Sequence, residues 1–178
     1  MFKGCENLNI DFGLISDKFP ILEYGSAMFS YCHNASGSWY TSLPNLKDAQ
    51  RMFQMTSIQY LGGENGEVLN FSKLTSAYYM FAGCVELTDC YMNLGSCKEV
   101  HGMFEGCTNL QTVKLHNLDT TGSNYGQCRS LFNETHLKHA LLHNLGSIYG
   151  DCDLMFNTRK PLTIELTNDD GYSSRNLV

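Results

Sequence analysis

A pair of large apolar residues, Met-Phe or Leu-Phe, recurs seven times along the chain at intervals of 23 to 28 residues. An anchor that repeats at a period in the twenties predicts a solenoid, because a repeat of that length buries its apolar face only when neighbours stack on both sides. We therefore expect a single domain over residues 1–178, built from about seven repeats. The repeats start near Met1, Met28, Met52, Met80, Met103, Leu131 and Met155.

After each anchor, apolar and polar residues alternate with a period of two. The clearest segments are Leu110–Leu118 and Leu137–Leu145, and Leu87–Leu94 follows the same pattern. This alternation predicts half-buried β-strands, and shorter forms of it occur at Leu8–Phe12 and Leu162–Leu166. Between each strand and the next anchor lie roughly ten residues, which is long enough for one or two helical or 3₁₀ turns on the opposite face.

The anchor continues into a glycine and a cysteine at Met1–Cys5, Met80–Cys84 and Met103–Cys107. This M-F-x-G-C-x-x-L start, followed by the strand pattern L-x-x-[VAC]-x-[LM]-x-N-L, closely resembles the BspA-like leucine-rich repeats of bacterial surface proteins. Leu118–Thr121 also resembles the LDTS segment after their strand. The resemblance implies an α/β leucine-rich-repeat solenoid with one parallel β-sheet and short helical or 3₁₀ turns opposite it. It further implies adhesion or protein binding without catalytic machinery.

The outward strand positions predict a binding surface. If the apolar strand residues point inward, Tyr91 and Leu141 lie among polar outward residues, and an apolar anchor with a polar rim is typical of protein-binding surfaces. The alternative for each is an exposed apolar side chain without function. Trp39 and Tyr40 form a second candidate patch, with a core plug in an irregular repeat as the alternative. The predicted binding residues of the strand face are Asp89, Tyr91, Asn93, Thr112, Lys114, His116, His139, Leu141, His143 and Glu165.

Three histidines, His136, His139 and His143, would share one face of a helix and could then hold a metal ion. The alternation of Leu137–Leu145 favours a strand instead, on which His139 and His143 stand roughly 13 Å apart. His116 and His143 then become neighbours on adjacent strands, and two ligands make an incomplete zinc site. Common nucleophile, zinc-protease, Walker A and dinucleotide-binding motifs are missing from the sequence. We therefore expect no metal, no cofactor and no enzymatic activity.

Cysteine usage favours buried free thiols. The eight cysteines include four in one repeat column, four residues beyond the anchor, where other copies have Thr or Arg. A free thiol supplies the small, weakly polar side chain that such a stacked column needs. Cys97, Cys128 and Cys152 are expected to pack in a similar way. No C-x-x-C spacing occurs, so the sequence does not favour a zinc-ribbon or thioredoxin-like site.

Composition and charge limit the classes of candidate partner. Apolar residues make up 43% of the chain and charged residues 17%, which favours a packed core, and the net charge is −6. Without a Lys/Arg cluster, nucleic acid and membrane surfaces are poor candidate partners. The N-terminal segment has no extended apolar stretch of a signal peptide, and no run reaches transmembrane length. We therefore favour a cytoplasmic or virion location over the cell surface, or a piece of a longer protein.

These observations favour a non-enzymatic protein-binding or assembly module whose partner the sequence does not identify. A component of a phage virion is one setting for it. Two alternatives remain open, a small intracellular inhibitor of a host enzyme or defence complex and a fragment of a bacterial surface adhesin. The array starts on the anchor itself, at Met1-Phe2, so we also expect self-association through an uncapped N-terminal repeat.

Overall fold

The structure is a computed structural model that describes residues 1–63, 65–95, 97–118, 128–144, 154–158 and 160–167. In this part of the chain, seven strands form one parallel sheet, and the coils that carry them stack into a solenoid-like β-helix arrangement with few helices. The strands are β1 (Ser36–Trp39), β2 (Ser57–Leu61), β3 (Leu69–Asn70), β4 (Asp89–Asn93), β5 (Thr112–His116), β6 (His139–His143) and β7 (Thr163–Thr167).

Adjacent coils are joined strand to strand, in the order β1-β2-β4-β5-β6-β7, with β3 also paired to β4. From β4 to β7 the register has no shift, so each residue faces its counterpart on the next rung. The strands predicted at β4, β5, β6 and β7 are confirmed. Their inward residues form part of the core and are fully or nearly fully buried in the first three of these strands: Cys90, Met92, Val113, Leu115, Ala140 and Leu142.

The phenylalanines of the repeated anchor stack along the solenoid axis. Neighbouring rings have centroids 5.5 to 5.8 Å apart and interplanar angles of at most 20°. Each ring in the interior of the stack therefore buries both faces against the same residue of the two adjoining coils, which is why this residue type recurs. The stack contains Phe2, Phe29, Phe53, Phe81, Phe104, Phe132 and Phe156.

The wall that carries the anchors consists of turns rather than the predicted helices. The Phe53 N–H donates to the Met80 carbonyl at 2.9 Å, and the Phe81 N–H donates to the Met103 carbonyl at 2.9 Å. An N–H that bonds to the next coil is not available for a bond within a helical turn. In the described residues, the helical segments are confined to the first coil, as α1 (Phe12–Ile15) and a 3₁₀ turn (Ser16–Lys18).

Residues with a left-handed backbone conformation lie on both sides of these turns. The residue before the anchor and the residue three positions after its Met have positive φ in most described coils, for example Arg51 at 54° and Met55 at 57° around Met52. Gly83 and Gly106 occupy the second position with φ of 71° and 72°. Glycine adopts this conformation without steric cost, which explains the glycine of the M-F-x-G-C pattern.

The first coil differs from the predicted short strand over Leu8–Phe12. Asp11 forms an isolated bridge with Ser36, and the chain then enters α1. The Asp11 carboxylate accepts the Gly13 N–H at 2.8 Å and so caps the helix. Helix capping therefore replaces the strand that alternation alone predicts here.

The column of cysteines beyond the anchors faces backbone carbonyls inside the core. The thiols of Cys84 and Cys107 donate to the carbonyls of Phe53 and Phe81, at 2.8 and 3.0 Å. The expected burial of this column is confirmed at Cys32, Cys84 and Cys107, whereas Cys5 in the first coil is exposed. The expectation of a free thiol is wrong for Cys128, which is disulfide-bonded. Cys152 lies outside the described residues.

The helical segments in the described residues are short, and none of them could span a membrane.

Candidate functional site

The strand face consists of the outward residues of β4 to β7, which form three columns across the rungs. The first column runs through Asp89, Thr112, His139 and Thr163, the second through Tyr91, Lys114, Leu141 and Glu165, and the third through Asn93, His116, His143 and Thr167. Every residue of the predicted strand face therefore lies on one side of the sheet, and each is partly or largely exposed. The sheet fixes their spacing at about 4.8 Å per rung.

A pocket of about 200 Å³ opens between the first two columns. Its floor lies over Ala140, whose side chain points into the core, and Leu141 contributes an apolar wall. Lys114 and Glu165 stand one rung on either side of Leu141. The lining residues are Thr112, Lys114, His139, Ala140, Leu141, Thr163 and Glu165. This arrangement places an apolar contact between one positive and one negative group.

The Lys114 side chain is held in place by contacts on the side of β4, opposite Leu141. Its Nζ lies 4.4 Å from the centroid of the Tyr91 ring and donates to the Gly66 carbonyl at 3.3 Å. The Tyr91 hydroxyl in turn donates to Asp89 Oδ1 at 3.4 Å. Burial and, after it, the Asp89 carboxylate raise the pKa of Tyr91 to about 12, so this phenol stays neutral at physiological pH.

A row of tyrosines extends the strand face toward the N-terminal coils. Tyr60 packs edge-on against Tyr91 with centroids 5.6 Å apart, and Tyr40 lies 5.9 Å from Tyr60. Tyr40 is 44% exposed, but Trp39 is fully buried and packs against Phe53, so the candidate patch is corrected to Tyr40 alone. Trp39 therefore fills the core of its irregular repeat, which is the alternative that the sequence analysis left open. Sequence reasoning missed Tyr60, because its outward position depends on the register shift between β1 and β2 and not on a period-two alternation of Ser57–Leu61.

The third column contains the two histidines that the sequence places side by side. The rings of His116 and His143 have centroids 4.6 Å apart, and His143 Nδ1 is 2.9 Å from the Thr167 hydroxyl oxygen. His139 and His143 lie on the same strand, β6, so the predicted strand is confirmed and the helical alternative for the three histidines is excluded. In the described part of the chain, no group of three or more His, Cys, Asp or Glu residues has the geometry to hold a metal ion.

An amide ladder follows the ends of these strands. Asn117 Nδ2 donates to Asn93 Oδ1 at 2.8 Å, and Asn144 Nδ2 donates to Asn117 Oδ1 at 3.4 Å. Asn93 Oδ1 also accepts the Gly95 N–H at 2.9 Å. Because the amides bond to one another along the axis, they hold the rim of the strand face in a fixed position.

No protein-family model matches this chain, and no curated protein or solved structure is significantly similar to it.

Proposed function

We propose that this chain is a non-enzymatic module that binds a protein partner through the strand face. The observation that carries the proposal is the pocket beside Leu141, which lies between Lys114 and Glu165 in the part of the sheet, β5 to β7, where the register has no shift. Apolar anchors in pockets with a polar rim dominate the energetics of protein recognition. A site on a sheet also costs little ordering on binding, because its backbone is already fixed.

The charges around the pocket specify the chemistry of the partner. Lys114 and Glu165 lie two rungs apart, or about 9.6 Å. A complementary partner therefore presents an apolar side chain to the pocket, with an acidic group near Lys114 and a basic group near Glu165. Electrostatic complementarity of this kind favours the correct orientation of the partner more than it raises affinity.

The test uses the immobilised chain as bait in a lysate of its native source. We expect a retained protein that is lost with Leu141→Asp, which places a charge in the pocket, and weakened by Lys114→Glu, which reverses a rim charge. The matched control is Val85→Asp, at a residue that is also exposed but lies outside the strand face. Binding that survives Leu141→Asp, or that is lost equally with Val85→Asp, would exclude the strand face as the binding site.

A second candidate function is self-association through the first coil. This coil exposes Leu14 and Ile21 to 73% and 81%, and Phe2 and Phe19 of the same coil are only partly buried. Covering these apolar side chains with a second copy removes their surface from water. Light scattering should then detect a dimer that Leu14→Asp with Ile21→Asp converts to a monomer. A wild-type monomer at all concentrations would rule this interface out.

We further propose that the coils are leucine-rich repeats of the BspA-like kind, on the basis of the repeated M-F-x-G-C start. The proposed settings are a phage virion, an intracellular complex with a host enzyme or defence protein, and a bacterial surface adhesin. The identity of the captured partner distinguishes them. A virion protein supports the first setting, one host protein bound in equal stoichiometry supports the second, and an extracellular protein supports the third.

A further inference from the structure

The loop between β2 and β3 contains Asn65 followed directly by Gly66, which is the one Asn-Gly step among the fifteen asparagines of the chain. Asn65 is exposed and lines a surface groove of about 540 Å³, so water reaches its side chain. The carboxamides of Asn93 and Asn117 are fixed by the amide ladder, whereas the Asn65 carboxamide forms no hydrogen bond with the other described residues. The Asn65 side chain is therefore free to change rotamer.

An asparagine followed by glycine can lose its side-chain amide without an enzyme. The backbone nitrogen of the glycine attacks the Cγ of the asparagine and forms a C–N bond, and ammonia leaves with the proton of the backbone N–H. The resulting cyclic succinimide takes up one water molecule and opens to aspartate or isoaspartate, so the overall change is a hydrolysis in which nothing is oxidised or reduced. Glycine has no Cβ to hinder the attack, and asparagine is among the thermolabile residues of proteins.

One turn hydrogen bond holds the attacking nitrogen in the folded chain. The Gly66 N–H donates to the Gly63 carbonyl at 3.1 Å, and the Gly63 N–H donates to the Glu67 carbonyl at 2.9 Å. Gly66 has φ of 75°, a left-handed conformation that glycine adopts without steric cost, so the fold itself favours glycine after Asn65. A hydrogen bond in an exposed loop opens locally at a small fraction of the free energy of global unfolding. The nitrogen therefore becomes available without unfolding of the solenoid.

Gly66 also holds the lysine at the rim of the strand-face pocket. Its carbonyl accepts Lys114 Nζ at 3.3 Å, and the same ammonium group lies 4.4 Å from the centroid of the Tyr91 ring. An isoaspartate at position 65 adds a methylene to the backbone directly before Gly66 and so displaces this carbonyl. Aspartate and isoaspartate both place a new carboxylate next to Gly66, and a carboxylate attracts an ammonium group more strongly than a carbonyl does.

We propose that Asn65 is a site of spontaneous deamidation, and that its conversion moves Lys114 from the Tyr91 ring and the Gly66 carbonyl to the new carboxylate. The conversion requires only water. It pairs the positive charge at the rim of the pocket with a negative one, so the pocket loses its attraction for an acidic group of the partner. This last consequence rests on the proposed function of the strand face.

The test follows the folded chain of residues 1–178 and a free peptide of residues 61–69 in the same mildly alkaline buffer. Peptide mapping by mass spectrometry detects the replacement of NH₂ by OH at position 65, and an isoaspartate methyltransferase labels the isoaspartate product. We expect the folded chain to convert within about tenfold of the rate of the peptide, because one exposed turn bond has to open.

Asn34 provides the matched control within the same chain. It is also exposed, and the residue after it, Ala35, also donates its N–H back across a turn, to the Cys32 carbonyl at 3.0 Å. Since Ala35 has a Cβ that hinders the attack, Asn34 should stay intact while Asn65 converts.

NMR of the Lys114 side chain provides the second readout. The Tyr91 ring shifts the ε-methylene resonance of Lys114 to high field while the ammonium group lies near the ring. We expect this shift to disappear as position 65 converts, and to persist in Asn65→Gln, whose longer side chain cyclises far more slowly. An unchanged Asn65 after the peptide has converted overturns the proposal, and so does a converted chain with unchanged Lys114 resonances. Neither readout uses a binding partner, so failure of this proposal is distinct from failure of the proposed binding function.

Discussion

The phenyl rings of Phe53 and Phe81 lie parallel, with an interplanar angle of 1° and centroids 5.5 Å apart, although 28 residues separate them in the chain. The same relationship joins Phe81 to Phe104 at 4° and 5.5 Å. An interior phenylalanine therefore contributes to two interfaces between coils. In an array whose coils contact only their neighbours, such shared interfaces make folding cooperative along the axis.

Phe81→Ala should destabilise the fold by about 3–5 kcal/mol, because it removes a fully buried ring and opens a cavity between two coils. The control is Phe156→Ala, at a ring that is 36% exposed, for which we expect about 1–2 kcal/mol. Urea denaturation followed by circular dichroism measures both. Equal losses for the two variants would contradict the role assigned to the ring stack.

Cys84→Thr should cost less than about 1 kcal/mol, whereas Cys84→Ala should cost about 1–2 kcal/mol. The threonine hydroxyl can donate to the Phe81 carbonyl as Thr56 already does to Phe53, at 2.8 Å in the same column. Alanine provides no donor and leaves a small void. Cys5→Ala, at an exposed thiol, is the neutral control. Thermal melts of the three variants decide the order, and Ala tolerated as well as Thr would contradict it.

Stability should fall as the pH rises from about 9 toward 11. Burial raises the pKa of the Cys84 thiol from 9.0 to about 11, so in this range the unfolded chain releases a proton that the folded chain retains. The favourable contribution is complete below pH 9 and is lost at about 1.4 kcal/mol per pH unit for each such thiol. Urea midpoints at pH 8, 9, 10 and 11 measure the slope. Burial also raises the pKa of the Cys90, Cys97 and Cys107 thiols, so Cys84→Thr should reduce the slope by the share of one thiol. An unchanged slope in that variant would show that Cys84 does not contribute to the effect.

The sequence predicted the strands of the later coils because each alternation there continues over five residues and one face is fully buried, as at Thr112–His116. It could not predict the turn wall, since Tyr31 and Met55 adopt left-handed φ in a column where other coils have glycine. That conformation results from the bonds between coils rather than from local preference. At the first coil, the cap supplied by Asp11 outweighed the alternation of Leu8–Phe12.

The candidate site was predictable to a similar extent. Period-two alternation is enough to place Lys114, Leu141 and Glu165 in one outward column. The pocket beside them depends on neighbouring rungs, and the contact that orients Lys114 comes from Gly66, 48 residues away.

Gly83→Ala should destabilise the fold more than Gly106→Ala, although both glycines have φ near 70°. The backbone conformation costs each alanine about 1–2 kcal/mol. At Gly106 a new Cβ meets nothing closer than 3.8 Å, but at Gly83 it overlaps the Sδ of Met55 in the preceding coil. Adding Met55→Ala should therefore restore Gly83→Ala to the level of Gly106→Ala and leave Gly106→Ala unaffected. A double-mutant cycle from urea denaturation measures the coupling. Strictly additive effects at positions 55 and 83 would mean that the side chain of Met55 yields freely, and that the backbone alone requires the glycine.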